Sequence, residues 1–246
     1  MVKTREEIEK IRVACIKCKS VLIKLGAVLK PDISTYEVEE KAAVFLKEEK
    51  VESAFKNYNG YPANICISVN EEVVHGIPSK EKFLKNGDIV SIDIGVKYKG
   101  YYSDYAATFP IGEVTVLHSR LIEVARKSFN KGFAKALPGM TTGDIGEAIQ
   151  RFTEENGFSV VRDFVGHGVG KSLHELPEVP NFGPAGMGSM LYENEVLAIE
   201  PMINTGSSNV KILEDGWKVV TVDGGYSAHY EECVLVTKHG PELLAL

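Results

Sequence analysis

The 246-residue sequence has no long uninterrupted run of apolar residues, and its opening stretch, MVKTREEIEKIR, carries charges at helical spacing. A membrane-spanning helix needs about 20 mostly apolar residues, and a secretory signal needs an apolar core of its own. The sequence therefore predicts neither a membrane protein nor a secreted one, and we expect a cytoplasmic location.

Cysteine is scarce as well, with four residues in the chain: Cys15, Cys18, Cys66 and Cys233. Four thiols are too few to stabilise a domain of this size by disulfide cross-links, and the number is ordinary for a reducing compartment. No disulfide is therefore predicted. Cys15 and Cys18 form a CxxC pair, but a zinc site would need a second pair. The apolar spacing around them indicates one core-facing side of a helix.

An excess of positive charge is also missing, since 28 Lys and Arg stand against 34 Asp and Glu for a formal net charge of −6. Nucleic-acid binding depends on clustered basic residues, and Lys80, Lys82 and Lys85 are interpreted as solvated surface. No nucleic-acid partner is expected. A monomer is expected too, because no exposed heptad or long apolar stripe calls for a partner.

Apolar residues at helical spacing predict four helices, each pair of which is followed by β-rich sequence. The helical segments are 5–26, 34–50, about 118–137 and 141–157. Ser34 with Glu37, and Thr141 with Asp144, form capping boxes that mark the starts of the second and fourth helices. The order helix, helix, strands therefore occurs twice.

The two halves of the chain also match each other residue by residue. Pro138 lies 107 residues after Pro31, and the same offset places LYENEVLAIE, 191–200, on LKNGDIVSID, 84–93, so that Glu200 aligns with Asp93. Two matching blocks at one ungapped offset favour a duplicated unit. We predict an α/β (α+β) fold with a pseudo-twofold axis: one domain, 1–246, made of two related halves, about 1–115 and 116–246.

Two aspartates fall on neighbouring strands of the segment SIDIGVKYKGYYSDYAATF. A two-residue loop at Tyr98 and Lys99 would place Asp93 directly opposite Asp104. Opposed side chains have Cβ atoms about 5 Å apart, so two ionised carboxylates there would repel each other unless a cation or a shared proton lay between them. The pairing therefore predicts a metal site.

Two glutamates are paired in the same way in the second half. Asp215 and Gly216 predict a type I′ hairpin, and pairing around it places Glu200 opposite Glu231. A bulge in the intervening INTGSSNV would shift this register and send one glutamate to the other face of the sheet. With the register kept, four carboxylates meet, and two divalent ions about 3.5 to 4 Å apart would neutralise them through shared carboxylates.

Between the paired acids lies a glycine-rich stretch, VGHGVGKSLHELPEVPNF, which carries His167 and His174. A lone histidine is more often structural than a ligand, but imidazole is also a common metal ligand beside carboxylates. The GVGKS within this stretch resembles the end of a phosphate-binding P-loop. That motif needs a glycine five residues before Gly170, where this chain has Val165, so a nucleotide-binding protein is not favoured.

Taken together, GHGVGKSLHELP, SIDIG, YSDYA, AIEPM and HYEEC resemble the type I methionine aminopeptidases over nearly the whole chain. The resemblance implies the duplicated pita-bread fold, an antiparallel sheet flanked by helices. It also implies removal of the initiator methionine from nascent polypeptides when the second residue is small, by attack of metal-activated water on the first peptide bond. Two divalent ions, manganese, iron or cobalt, are expected, together with transient contact with the ribosome.

Carried onto matching positions, the resemblance implies a dinuclear site. Asp93 would bind one ion, His167 and Glu200 would bind the other, and Asp104 and Glu231 would bridge the two.

The resemblance further implies that His174 contacts the scissile carbonyl and that His75, in NEEVVHGIP, contacts the substrate's peptide group, neither being a metal ligand. Glu200 is the expected proton shuttle. The methionine pocket would be formed around Phe55, Tyr58, Tyr61, Cys66 and Trp217, with Leu173 beside His174. Such a pocket suits a thioether, because sulfur makes favourable contacts with ring edges.

Two positions depart from the family pattern: Glu232 stands where histidine is common, and Leu173 stands where phenylalanine is common. Strand alternation is expected to turn Glu232 away from Glu231. The chain shows neither an N-terminal zinc-binding extension nor the insertion of the type II enzymes, which favours the bacterial arrangement.

Two alternatives stay open at this point. A pita-bread Xaa-Pro peptidase would share the metal ligands, although such enzymes usually carry a large N-terminal domain. A non-catalytic binding protein of the same fold would be expected to have lost ligands, whereas all five are present here.

Overall fold

The computed structural model describes residues 1–245, in which two helix pairs each precede a set of strands. The helices are α1 (Arg5–Val28), α2 (Thr35–Glu49), α3 (Val116–Phe133) and α4 (Thr142–Glu155). All four predicted helices are confirmed, with ends that differ by a few residues. The largest difference is at α3, which ends at Phe133 and is followed by its C-cap Ala134 and a turn before Pro138.

Side-chain caps fix where the helices begin. Ser34 accepts a hydrogen bond from the Glu37 backbone N–H while the Glu37 carboxylate accepts from the Ser34 N–H, and Thr141 and Asp144 repeat this exchange. Each box satisfies two of the backbone donors that a helix start leaves free. Both predicted capping boxes are therefore confirmed, and Thr4 with Glu7 adds a third at α1.

Within residues 1–245, fifteen strands accompany the four helices. In the first half they are β1 (Glu52–Ser53), β2 (Cys66–Val69), β3 (Glu72–Val74), β4 (Ile89–Tyr98) and β5 (Tyr101–Pro110). In the second half they are β6 (Ser159–Val160), β7 (Gly166–Gly168), β8 (Glu175–Val179), β9 (Val196–Ile199), β10 (Met202–Asn204), β11 (Val210–Ile212), β12 (Val219–Thr221), β13 (Ser227–His229), β14 (Glu232–Leu235) and β15 (Glu242–Leu243). All the strand pairs are antiparallel.

The β4–β5 hairpin turns one residue later than predicted. Tyr98 pairs with Tyr101, so the two-residue loop is Lys99–Gly100, with φ of 48° and 81°. Positive φ at both central residues is the mark of a type I′ turn, and glycine adopts it at no steric cost. The predicted loop at Tyr98 and Lys99 is wrong because it would have placed a bulky tyrosine in that strained backbone region.

This turn changes the pairing of the two aspartates. Asp93 lies opposite Ala106, and Asp104 lies opposite Gly95. The predicted direct pairing of Asp93 with Asp104 is therefore wrong, by a register of two residues. Because side chains alternate with a period of two, the shift leaves both aspartates on one face as diagonal neighbours.

In the second half the predicted register is confirmed. Ile199 pairs with Glu232 on one side and Met202 with His229 on the other, so Glu200 lies opposite Glu231. β11 and β12 keep the same register further out, with no bulge across the intervening stretch. The turn itself is not type I′, because only Gly216 has positive φ.

Several features of the first half recur 107 residues later. α2 and α4 begin at Thr35 and Thr142, and β4 and β9 begin at Ile89 and Val196. Isolated bridges recur at the same spacing: Ser34 with Phe83, and Thr141 with Met190. These matches support the proposal that the domain consists of two related halves.

Two large cores lie under the helix pairs. The first joins α1 and α2 to β2, β4 and β5 and includes Cys15 and Cys18, and the second lies under α3 and α4. The prediction that this CxxC faces the core is confirmed, and all four cysteines are buried free thiols. Among residues 1–245, no helix has the length and apolarity to cross a bilayer.

Candidate metal centre and substrate pocket

One row of residues runs across the junction of the two halves. Cys66 lies opposite Asp93, Asp93 lies opposite Ala106, and Ala106 forms a bridge to Glu231. Glu200, which lies opposite Glu231, is the last residue of this row. Directly opposed residues project to the same face, so three carboxylates contributed by both halves lie along one line.

Two further side chains join this row from neighbouring positions. Asp104 is two residues from Ala106 on β5, and His167 lies opposite Ala198, which is two residues from Glu200. The Nε2 atom of His167 is 3.5 Å from Glu200 Oε1 and 3.8 Å from Asp104 Oδ2. All five residues that the sequence singled out therefore meet at one site.

The five residues fall into overlapping groups whose potential ligand atoms lie within 4.8 Å of one another. One group is Asp93, Asp104 and Glu231, and another is His167, Glu200 and Glu231. Glu231 belongs to both. Asp104 also groups with His167 and His174, so the expectation that His174 is not a ligand stays a prediction.

Burial makes this group of acids costly to ionise. It raises the pKa values of Asp93, Glu200 and Glu231, and it raises that of Asp104 from 3.8 to about 7. Repulsion among the carboxylates adds to burial at Asp93, Glu200 and Glu231. Burial lowers the pKa of His167 to about 3, so this imidazole is neutral and has a lone pair to offer.

The site's chemistry fits divalent cations. Asp93 Oδ1, Asp104 Oδ1 and Glu231 Oε1 are buried without a hydrogen-bond partner among the described residues. Buried carboxylate oxygens need either a partner or a compensating positive charge. A set of four carboxylates and one imidazole is the kind that first-row divalent ions other than structural zinc accept.

His174 lies beside the acids and is held by Tyr58. The Tyr58 hydroxyl is 2.8 Å from His174 Nδ1, and the rings of His167 and His174 have centroids 4.3 Å apart. When the hydroxyl donates to Nδ1, the ring proton remains on Nε2. The free side of His174 is then a hydrogen-bond donor.

His75 occupies an unusual backbone conformation for its residue type. Its φ is 60°, in the left-handed region, and the following Gly76 is packed so closely that an added Cβ would lie 2.2 Å from the Ile67 carbonyl oxygen. Non-glycine residues are held there only when the surroundings enforce it, which is common at functional sites. The His75 ring packs edge-on against Phe164 and Trp217, and burial lowers its pKa.

These side chains line a pocket of ≈ 560 Å³. The pocket wall contains all the predicted substrate contacts: Phe55, Tyr58, Tyr61, Cys66, His75, Leu173, His174 and Trp217. Trp217 packs edge-on against Tyr61 at 5.1 Å. The five candidate ligands line the same cavity, so an apolar wall and an acidic floor share one space.

Sequence reasoning missed several members of the site. Val74, Phe164 and Leu176 also line the pocket, and His229 lies beside Glu200 and Glu231. A signal for His229 was present in the sequence, since it is two residues before Glu231 and strand alternation places both on one face. No comparable pattern marks the three apolar residues.

Glu232 turns away from the site, as strand alternation predicted. Its carboxylate accepts hydrogen bonds from the Tyr230 hydroxyl at 2.6 Å and from Lys19 on α1 at 3.1 Å. The additional acid is thus paired outside the pocket.

Comparisons with known proteins agree with this geometry. The model of metallopeptidase family M24 matches residues 9–238. Methionine aminopeptidase from Clostridium acetobutylicum is 46% identical over 246 residues, which is 100% of this chain and 98% of that protein. The methionine aminopeptidase of Escherichia coli is 39% identical over 100% of this chain and 93% of its own length.

Solved structures of other proteins are similar to this chain in fold. The crystal structure of methionine aminopeptidase from Thermotoga maritima matches with a TM-score of 0.97 at 44% identity, covering 99% of this chain and 98% of that one. Prolidase from Pyrococcus furiosus matches at 0.81 and 24% identity over 100% of this chain and 65% of its own, which shows a common fold. The predicted pita-bread fold is confirmed. The chain belongs to metallopeptidase family M24 and, within that family, to the methionine aminopeptidases.

Proposed function

We propose that this chain removes the N-terminal methionine from polypeptides whose second residue is small, as a hydrolase with two divalent metal ions. The observation that carries the proposal is the overlap of two ligand groups at Glu231, on the floor of a pocket with an apolar wall. Manganese, iron and cobalt are the ions that the ligand types favour. A monomeric state, a cytoplasmic location and transient ribosome contact stay predictions.

In the proposed arrangement, Asp93 would hold one ion, His167 and Glu200 would hold the other, and Asp104 and Glu231 would contribute to both. Divalent ions held in this way would supply Lewis acidity and would lower the pKa of a bound water towards neutral pH. The overlap of the ligand groups supports the sharing, because Glu231 belongs to both of the main groups and Asp104 also groups with His167.

The pocket wall accounts for recognition of methionine. Three aromatic rings and a buried thiol form this part of the pocket lining: Phe55, Tyr61, Trp217 and Cys66. Burial raises the pKa of the Cys66 thiol, which keeps it neutral. A thioether gains from contact with ring edges, which such a lining provides.

The protein's own side chains then handle protons and the developing charge. His174 donates from Nε2 to the carbonyl oxygen as it becomes an oxyanion, because Tyr58 occupies its Nδ1. His75, which also lines the pocket, would orient the peptide group. Glu200, which lines the pocket, is assigned the transfer of a proton from the attacking water to the leaving nitrogen, because a carboxylate there can accept the proton and return it.

We expect chelator-treated protein to release no methionine from a Met-Ala-Ser peptide and to regain this activity when Mn²⁺, Co²⁺ or Fe²⁺ is restored. An Xaa-Pro peptide, assayed alongside, should not be cut. Cleavage of the proline peptide alone would favour the Xaa-Pro peptidase alternative. Metal binding without cleavage of either peptide would favour a binding protein.

His174→Ala is expected to lower kcat about 100-fold with a smaller change in KM, because the lost donor acts mainly on the transition state. Steady-state kinetics on the same peptide would measure this. Tyr58→Phe is the matched control for positioning, and it should reduce kcat less, since the ring donor remains. An unchanged kcat in His174→Ala would remove His174 from the mechanism.

A further inference from the structure

A buried imidazole lies beneath the two glutamates of the candidate metal centre. His229, at the end of β13, is 1% exposed, and its Nε2 atom is 3.7 Å from Glu200 Oε2 and 3.8 Å from Glu231 Oε2. The expected ligand set does not include it. Its place beside two acids raises the question of what it does there.

Neither ring nitrogen of His229 has a hydrogen-bond partner among residues 1–245. An unsatisfied buried polar group destabilises the folded state, so its presence in a core indicates a role that offsets this cost. Glu231 Oε1 is unpartnered as well. Donors and acceptors that lack partners therefore lie next to each other in this part of the core.

The backbone of His229 is firmly held, so the direction of its ring is not accidental. The His229 N–H donates to Thr108 Oγ1, and the Thr108 hydroxyl lies 2.9 Å from the His229 carbonyl oxygen. β13 also pairs with β10, which places His229 opposite Met202. A fixed strand thus aims the imidazole at the carboxylates.

Two imidazoles flank the two oxygens of a single carboxylate. His167 Nε2 approaches Glu200 Oε1 at 3.5 Å, and His229 Nε2 approaches Glu200 Oε2 at 3.7 Å. His167 lines the pocket, whereas His229 is deeper. A carboxylate that binds a cation through one oxygen leaves the other free to accept a hydrogen bond, and such bonds orient ligands and tune affinity.

We propose that His229 is a positioning residue: its Nε2–H, 3.7 Å from Glu200 Oε2 and 3.8 Å from Glu231 Oε2, donates to one of these carboxylates when metal ions are bound and so holds the pair in the orientation that binds the ions. This inference rests on the proposed function, because it assumes that these glutamates are ligands. His229 touches no substrate in this role. It acts through the two side chains above it.

The test compares His229→Leu, His229→Gln and the unmodified protein, all stripped with chelator and titrated with Mn²⁺ by calorimetry. His229→Leu is expected to bind at least one ion about 10- to 100-fold more weakly, the usual effect of losing a group that orients a ligand. His229→Gln keeps an N–H donor of similar reach and should bind nearly as the unmodified protein does. The Co²⁺ absorption spectrum gives a second readout that does not depend on activity.

His118→Leu is the control, because His118, on α3, stacks on Tyr226 and does not line the pocket, so its loss should leave metal affinity unchanged. Should His229→Leu fail to fold, His229→Asn replaces it, since its amide is too short to reach the carboxylates. Full metal affinity and an unchanged Co²⁺ spectrum in the Leu or Asn variant would overturn the proposal.

Equal weakening in His229→Gln and His229→Leu would also overturn it, because the ring would then be a ligand rather than a donor. Failure of the proposed function gives a different result. In that case the unmodified protein would itself show no Mn²⁺ binding or no methionine release, whatever the variants do.

Discussion

In the presence of chelator, the free energy of unfolding is expected to fall as the pH is raised from about 5 to about 8, and added Mn²⁺ should abolish most of this fall. The cause is the set of buried acids, whose pKa values burial raises, with Asp104 reaching about 7. A carboxyl with a raised pKa binds its proton more tightly in the folded state. Its contribution to stability is complete below the unfolded pKa near 4 and is lost as the pH rises through the folded value.

The expected effect is large. A shift of one pKa unit corresponds to 1.36 kcal/mol, so Asp104 alone would account for about 3 kcal/mol of the loss between pH 5 and its folded pKa of about 7. Bound cations would remove most of this loss of stability, because they favour the ionised carboxylates. Urea denaturation at several pH values, with and without metal, measures the difference.

Asp104→Asn serves as the matched variant, since it keeps the side chain's size and removes one titrating group. Its metal-free stability should depend less on pH. A metal-free protein that gains stability between pH 5 and pH 8 would contradict the explanation.

Lys3→Met is expected to destabilise the metal-loaded protein by about 3 to 5 kcal/mol, the usual cost of leaving one partner of a buried ion pair alone. Lys3 and Glu175 form an ion pair in which both side chains are less than 10% exposed. Glu175 also accepts hydrogen bonds from the backbone N–H groups of Lys171 and Ser172. Burial would raise the pKa of Glu175, but Lys3 and these N–H groups hold it below its ordinary value.

The pair fixes the segment that carries Leu173 and His174, so Lys3→Met should also raise KM for the methionine peptide. Lys171→Met is the control, because its ion pair with Glu7 involves a lysine side chain that is 69% exposed, and such pairs contribute at most about 1 kcal/mol. Lys3→Met combined with Glu175→Gln should recover part of the lost stability. Equal losses in Lys3→Met and Lys171→Met would contradict the argument.

The candidate site could be predicted largely because an error of two positions in strand pairing leaves each side chain on the same face of the sheet. The loop at Lys99 and Gly100 was placed one residue too early, which moved the partner of Asp93 by two positions and left the face unchanged. An error of one position in the partner would have sent Asp104 to the opposite face. The register of Glu200 depended on a stretch without regular pattern, and there only the structure could exclude a bulge.

Other parts could not be read from the sequence because they depend on contacts between distant segments. The bridge between Ala106 and Glu231 joins residues far apart in the chain, and no local preference encodes it. The same holds for the unpartnered ring of His229, since burial and the absence of hydrogen bonds are properties of the folded core. The aromatic pocket residues were expected through the family resemblance, as their spacing alone is typical of an ordinary core.

The bridge between Ala106 and Glu231 also bears on biosynthesis. Asp93 and Asp104 leave the ribosome well before Glu200 and Glu231, and domains generally fold as units once their sequence is complete. A chain that has emerged only through its first half holds two of the four carboxylates and has no second wall to its pocket. We therefore expect no peptidase activity from the growing polypeptide until the second half, through Glu231, has been made and has folded against the first.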